Sequence, residues 1–162
     1  MTPGVFDVVP VHQMRGEDDA ETKLLKDMCI EAKQYLESFH WCQSAAPRYW
    51  GGGVGKVFAI FLFEVDGRTP DIDQWLWVIV GDIPRLYLVV DQCKSPAQAF
   101  RVYMELMEAW VALARQGKTS RKLPPVGVEP TPEWADALAG RLQIIRETIA
   151  PFINGMDDSA TR

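Results

Sequence analysis

Histidine and cysteine are scarce in this chain, with two histidines and three cysteines in 162 residues. That scarcity limits the available chemistry. A zinc site takes three or four clustered protein ligands. His40 and Cys42 stand two residues apart in a segment that reads as helix, where their side chains diverge by about 200°. His12 is the only other histidine, and a site would need it and Cys93 to converge from distant segments. No metal and no cofactor is therefore expected. The G-x-S-x-G elbow of a hydrolase is missing. Nothing selects a Cys42–His12–Asp arrangement for nucleophilic catalysis. Asp66, Asp71 and Asp73 lack the alternate spacing before glycine that a calcium loop requires. Gly117-Lys118-Thr119 matches the end of a phosphate-binding loop, but Ala112 stands where that motif needs glycine. A helix also precedes it, where the motif has a strand. No catalytic residue is nominated, and the chain reads as a binding protein before an enzyme.

Excess positive charge is also lacking. Lys and Arg number 17 against 22 Asp and Glu, a net charge of -5. A sequence-independent nucleic-acid binder needs a basic footprint, so no nucleic-acid partner is expected. No apolar run approaches the ~20 residues of a membrane span, and no basic segment leads into one at the N-terminus. No membrane partner is expected either. The cysteine count is odd, and Cys29 and Cys42 fall in one predicted helix. Free thiols in a reducing cytoplasm are the expectation. The length suits one domain, which buries about 70% of its unfolded surface. The division expected is an irregular arm over 1–16, a single domain over 17–153 and a frayed tail over 154–162.

What is present is a block of β-formers. Residues 57–65 are apolar at almost every position, which predicts a strand buried on both faces. Residues 74–80 and 85–90 follow, separated by the turn signals at Asp66-Gly67 and Gly81-Asp82-Ile83-Pro84. Links this short join antiparallel neighbours. The fold class is α+β: a three-stranded antiparallel sheet preceded by one helix and followed by two. The strands alternate poorly, which implies cover on both faces by helices or a second subunit and leaves a homodimer open.

The first helix is expected from Asp18 or Asp19 to about Gln43, with a stripe including Leu25, Met28, Ala32, Leu36 and Cys42. Trp41 falls on its polar side. Ser95-Pro96 opens the second helix and Thr131-Pro132 the third, each by a cap followed by proline. The third helix is expected to bury Trp134, Leu138, Leu142, Ile145 and Ile149.

Between the first helix and the sheet lies the least regular segment. Four glycines occupy five positions at Gly51, Gly52, Gly53 and Gly55, just after Arg48, Tyr49 and Trp50. Glycine carries the largest entropic cost of any residue, so such a run marks a sharp turn or a close approach. It reads as a loop. Two aromatics beside Arg48, with Trp41 nearby, have the composition of an interface hot spot. The candidate partner- or ligand-binding residues are Trp41, Arg48, Tyr49, Trp50, Gly51, Gly52 and Gly53.

The residues from Phe39 to Cys42, the GGGVG run from Gly51, Phe61 to Glu64, and the string WLWVIVGDIP from Trp75 to Pro84 form a set. Taken with Tyr87 to Val89 and Thr131 to Ala135, the chain resembles a family of small uncharacterised bacterial proteins over about residues 36–145. The resemblance implies bacterial origin and a single domain. It implies no catalytic residues. The leading expectation is a cytosolic protein-binding module, immunity-, chaperone- or adaptor-like. The alternative is a small-molecule-binding protein or enzyme with a pocket beneath Gly51–Gly55.

Overall fold

In the computed structural model, which describes residues 3–153, a short strand β1 (Val9–Pro10) comes first. Helix α1 (Asp19–Glu37) follows, then strands β2 (Cys42–Val54), β3 (Phe58–Gly67), β4 (Trp75–Gly81) and β5 (Leu86–Val89). Helices α2 (Pro96–Ala114) and α3 (Pro132–Ile149) complete the order. The strands form one five-stranded antiparallel sheet in the order β1-β2-β3-β4-β5.

The fold is α+β with three helices, but its sheet has five strands where three were expected. The two missed strands are β1 and β2. β2 contains Pro47 and three consecutive glycines, all poor strand formers. Pairing with β3 along its whole length supplies what its own propensity does not. The supposed loop at 48–55 is therefore mostly strand. The arm at 1–16 is partly ordered too: Val9 pairs with Trp50, and Met14 is buried.

Helix α1 ends at Glu37, not near Gln43. The backbone beyond it finds other partners. The Ser38 hydroxyl donates to the Tyr35 carbonyl at 2.6 Å. The Arg68 Nε donates to the His40 carbonyl at 2.6 Å, and the Arg68 backbone N–H to that of Trp41 at 3.0 Å. Trp41 thus sits in a turn and Cys42 opens β2, so neither is helical.

β3 and β4 face both ways, and their alternate residues feed two cores. Phe61, Phe63, Val78 and Val80 pack beneath α1 with Leu25, Ala32 and Leu36. Phe58, Ile60, Leu62, Trp77 and Ile79 pack on the other face against Phe100, Tyr103 and Met107 of α2 and Leu138 and Leu142 of α3. Each such side chain contributes about 1.5–3 kcal/mol on burial. Asp18, Ser95 and Thr131 each accept the backbone N–H three residues on, at 2.8, 3.2 and 3.2 Å. These caps start the helices where the sequence places them, each contributing about 1 kcal/mol.

Candidate functional site

The expected site residues do not converge. β2 runs between them, and side chains alternate across a strand. Tyr49 packs on the α2 and α3 face, 6.3 Å from the Trp75 ring. Trp50 packs on the α1 face. Trp41 precedes β2, and the eight residues from Cys42 to Trp50 place Trp50 roughly 25 Å farther along, at about 3.3 Å per residue. All three are half-buried. The Trp41 ring stacks on Phe39 at 5.2 Å and meets Tyr87 edge-on at 5.3 Å. Arg48 is exposed and pairs with Glu64 at 2.9 Å. The Trp50 indole N–H is buried and has no hydrogen-bond partner among the described residues.

Gly51, Gly52 and Gly53 are buried. A Cβ on Gly51 would lie 2.6 Å from Pro96 Cγ, at the start of α2. One on Gly52, whose φ is +123°, would overlap the Phe152 carbonyl oxygen. One on Gly53 would overlap the Phe58 carbonyl oxygen. The glycines let β2, β3, α2 and the turn after α3 approach one another. At Gly51, Gly52 and Gly53 the space a side chain would take is thus occupied by protein.

Hollows lie between α2 and α3, along residues 119–130, and on both sides of the β4–β5 turn. Gly81 has φ +148°, and its lack of a Cβ leaves room for the Val57 carbonyl. The Asp82 N–H donates to that carbonyl at 3.1 Å. The Tyr103 hydroxyl donates to the Pro84 carbonyl at 2.6 Å, and Ile83 is buried. The turn is thereby pinned to both β3 and α2. Burial pushes the Tyr103 phenol well above its ordinary pKa, which keeps the donor protonated.

Beside this turn opens a hollow of about 420 Å³. Its walls are Gly81 to Arg85, residues 126–128 and the first turns of α3. Thr131 caps α3 and Ala135 is buried, so Trp134 turns outward and is 50% exposed. Val128, on the opposite wall, is 38% exposed. Arg141 supplies positive charge and pairs with Asp82 at 3.5 Å, whereas the Arg85 guanidinium lies 5.5 Å from the Tyr35 ring centroid, on the α1 side. A second hollow of about 560 Å³ lies across the turn, beside Asp27, Glu31 and Lys56, and shares Gly81 and Asp82. Among the described residues, neither hollow is lined by Ser, Thr, His, Cys or Tyr.

The expectation that Trp134 is buried is thus corrected. The spacing 134, 138, 142, 145, 149 is helical, but so is 135, 138, 142, 145, 149. The core selects Ala135, because a small residue lets the start of α3 sit close to its neighbours. The Gly81–Pro84 string was legible as a turn; its pairing with α3 was not.

The cysteines are free and buried. Burial pushes the Cys29 thiol up to about 11, and also raises Cys42 and Cys93. None is poised as a nucleophile. Among the described residues, no three His, Cys, Asp or Glu side chains converge as a metal site would. No described helix is long and apolar enough to cross a membrane.

Fold and site define an α+β domain, a five-stranded antiparallel sheet between one helix and two, with paired hollows at one turn. No protein-family model, curated protein or solved structure matches the chain.

Proposed function

We propose that this is a protein-binding module of a bacterial cytoplasm, adaptor-, immunity- or chaperone-like, that docks its partner at the Trp134 hollow. The carrying observation is a tryptophan at the start of α3 left 50% exposed beside Val128, Arg141 and a rigidly pinned turn. Tryptophan and arginine dominate interface hot spots, and a pre-ordered scaffold lowers the entropic cost of binding. The partner presents an apolar anchor for Trp134 and Val128 and a carboxylate for Arg141. The Arg141–Asp82 pair is mostly solvent-exposed, so it yields at small cost. The free, buried thiols support a reducing compartment. The resemblance through GGGVG and WLWVIVGDIP supports the bacterial origin. Of the residues singled out from sequence, Trp41 joins an aromatic patch with Phe39 and Tyr87 on the α1 side of the sheet.

The test is a pull-down with the immobilised protein from a bacterial lysate, followed by titration of the captured partner. Trp134→Ala is expected to weaken that partner at least about 30-fold, the scale of a hot-spot truncation. Its melting temperature moves by no more than about 2 °C, since the side chain lies outside the core. A partner retained at full affinity by Trp134→Ala overturns the assignment.

A further inference from the structure

Charge is unevenly placed along this chain. Between Ala109 and Val128 stand Arg115, Lys118, Arg121 and Lys122, with none of the 22 Asp and Glu. The whole chain carries a net charge of -5, so this acid-free stretch is the exception. Part of it has a local reason. Cations near a helix C-terminus offset its dipole, and Arg115 pairs with Asp136 at 3.1 Å. That reason does not reach Arg121 and Lys122, which lie beyond the last turn of α2. Lys118, Arg121 and Lys122 are exposed, and among the described residues none of the three enters an ion pair.

These cations sit on an ordered loop. Gly117, at φ +71°, ends α2. The Gly117 and Lys118 N–H groups donate to the Ala114 and Leu113 carbonyls, each at 2.9 Å. The Ser120 hydroxyl accepts the Lys122 N–H at 3.1 Å, and the Ser120 carbonyl accepts the Leu123 N–H at 3.2 Å. Leu123 and Val126 pack against the α2 and α3 core. Pro124, Pro125 and Pro130 fix φ between these points. A loop so held loses little freedom on binding. The hollow along it, of about 580 Å³, is lined by Thr119, Ser120 and Leu123 to Pro130. Val126, Gly127 and Val128 line the Trp134 hollow as well, so the two adjoin.

We propose that the occupant of the Trp134 hollow is an extended acidic segment of a polypeptide. One apolar side chain of that segment seats against Trp134 and Val128. Asp or Glu residues a few positions away lie along the 119–130 hollow and meet Lys118, Arg121 and Lys122. This rests on the docking reading above and adds the partner's chemistry. The charges select a polypeptide over a uniform polyanion. Glu129 and Glu133 are exposed, and in the chain they stand between the cationic loop and Trp134. A nucleic-acid strand or an anionic membrane sets phosphates against those carboxylates as well as against the lysines. A polypeptide sets apolar or neutral residues there and keeps its acids for the loop.

Selection of a displayed library of random dodecapeptides on the immobilised protein tests this. Enriched peptides are expected to share an apolar residue accompanied by Asp or Glu. A synthetic peptide of the enriched sequence, followed by fluorescence polarisation, should lose at least about 30-fold in affinity with Trp134→Ala. With the triple variant K118Q/R121Q/K122Q it should lose roughly ten-fold at low salt, because three exposed ion pairs each contribute little. That second loss should vanish at about 1 M salt, where charges are screened beyond about 3 Å. The triple variant changes only exposed side chains, so its melting temperature should match wild type. Enriched peptides without acids that still depend on Trp134 overturn this inference and leave the docking reading standing. Acidic peptides indifferent to Trp134→Ala overturn the docking reading and this inference with it. Acidic peptides held equally well by the triple variant overturn this inference alone. Absence of any enriched peptide also overturns it, while the docking reading keeps its own test in the pull-down. Tighter binding of a single-stranded oligonucleotide or of phosphatidylglycerol vesicles than of the peptide, lost in the triple variant, overturns it in favour of a polyanion.

Discussion

Replacing Gly52 by alanine tests whether the glycine run serves packing or a ligand. Gly52 has φ +123°, in a region that L side chains rarely adopt. Holding alanine there costs about 1–3 kcal/mol. The added Cβ would overlap the Phe152 carbonyl oxygen and lie 3.4 Å from Ile153 Cγ1. A backbone oxygen cannot rotate away like a flexible side chain. The turn after α3 must move, and overpacking of this kind costs about 1–3 kcal/mol. The two effects together give a loss of about 2–6 kcal/mol. That is a large share of the 5–15 kcal/mol that holds a typical domain. At about 2–4 °C per kcal/mol for a chain of this size, melting should fall by about 4–24 °C. Urea unfolding followed by tryptophan fluorescence gives the free energy directly. Gly140→Ala is the control of opposite sign. Gly140 lies inside α3 with nothing within 4 Å of an added Cβ, so alanine should stabilise by about 1 kcal/mol. A loss below about 0.5 kcal/mol for Gly52→Ala would refute the packing argument. Loss of partner binding at unchanged stability would return the glycines to a functional role.

Acid should act through Glu37. Its carboxylate accepts from Lys33 at 2.6 Å and from the Ala45 N–H, and these partners hold its pKa below the ordinary 4.5. A depressed folded-state pKa means the unfolded chain binds the proton more readily, so this stabilisation is present above pH 4.5 and lost as pH falls through the folded value. Glu37→Gln should therefore unfold at lower urea than wild type at pH 7, and the gap should close on acidification; a gap independent of pH would contradict this. The thiols offer a further check: all three should react with a thiol reagent only after denaturation, because each is buried and Cys29 titrates near 11. Rapid labelling of the native protein would show that the cores open readily.

The central strands were legible because their pattern has one interpretation. Residues 57–65 hold apolar side chains at both even and odd positions, and only a strand with cover on both faces accommodates that. Phe58, Ile60 and Leu62 indeed enter one core and Phe61 and Phe63 the other. The helix starts were legible because caps are local: Ser95 and Thr131 need only the N–H groups three residues on. β2 was not legible. Pro47 and three glycines argue against a strand at every local level, and the argument fails because the partner lies in β3. A ladder is a property of two strands, and one strand's composition records it only when that strand is also a good former.

The candidate hollow escaped for a related reason. Tyr49 and Trp50 drew attention because two aromatics in a loop have no local explanation. Once the segment is a strand the explanation is ordinary, since adjacent residues of a strand face opposite cores, and each of these rings enters one. Trp134 drew none because a tryptophan on a helical stripe has a ready explanation, burial, and the stripe tolerates a shift of one residue. The difference between the two stripes is whether a tryptophan or an alanine faces the core at the start of α3. Only the distance between α3 and its neighbours decides that, and the distance is set by Leu138, Leu142 and the chains they meet. An exposed tryptophan therefore arises where the core requires a small residue next to it. Its place on the surface, beside Arg141 and a turn pinned from two sides, is what the proposed docking reading starts from.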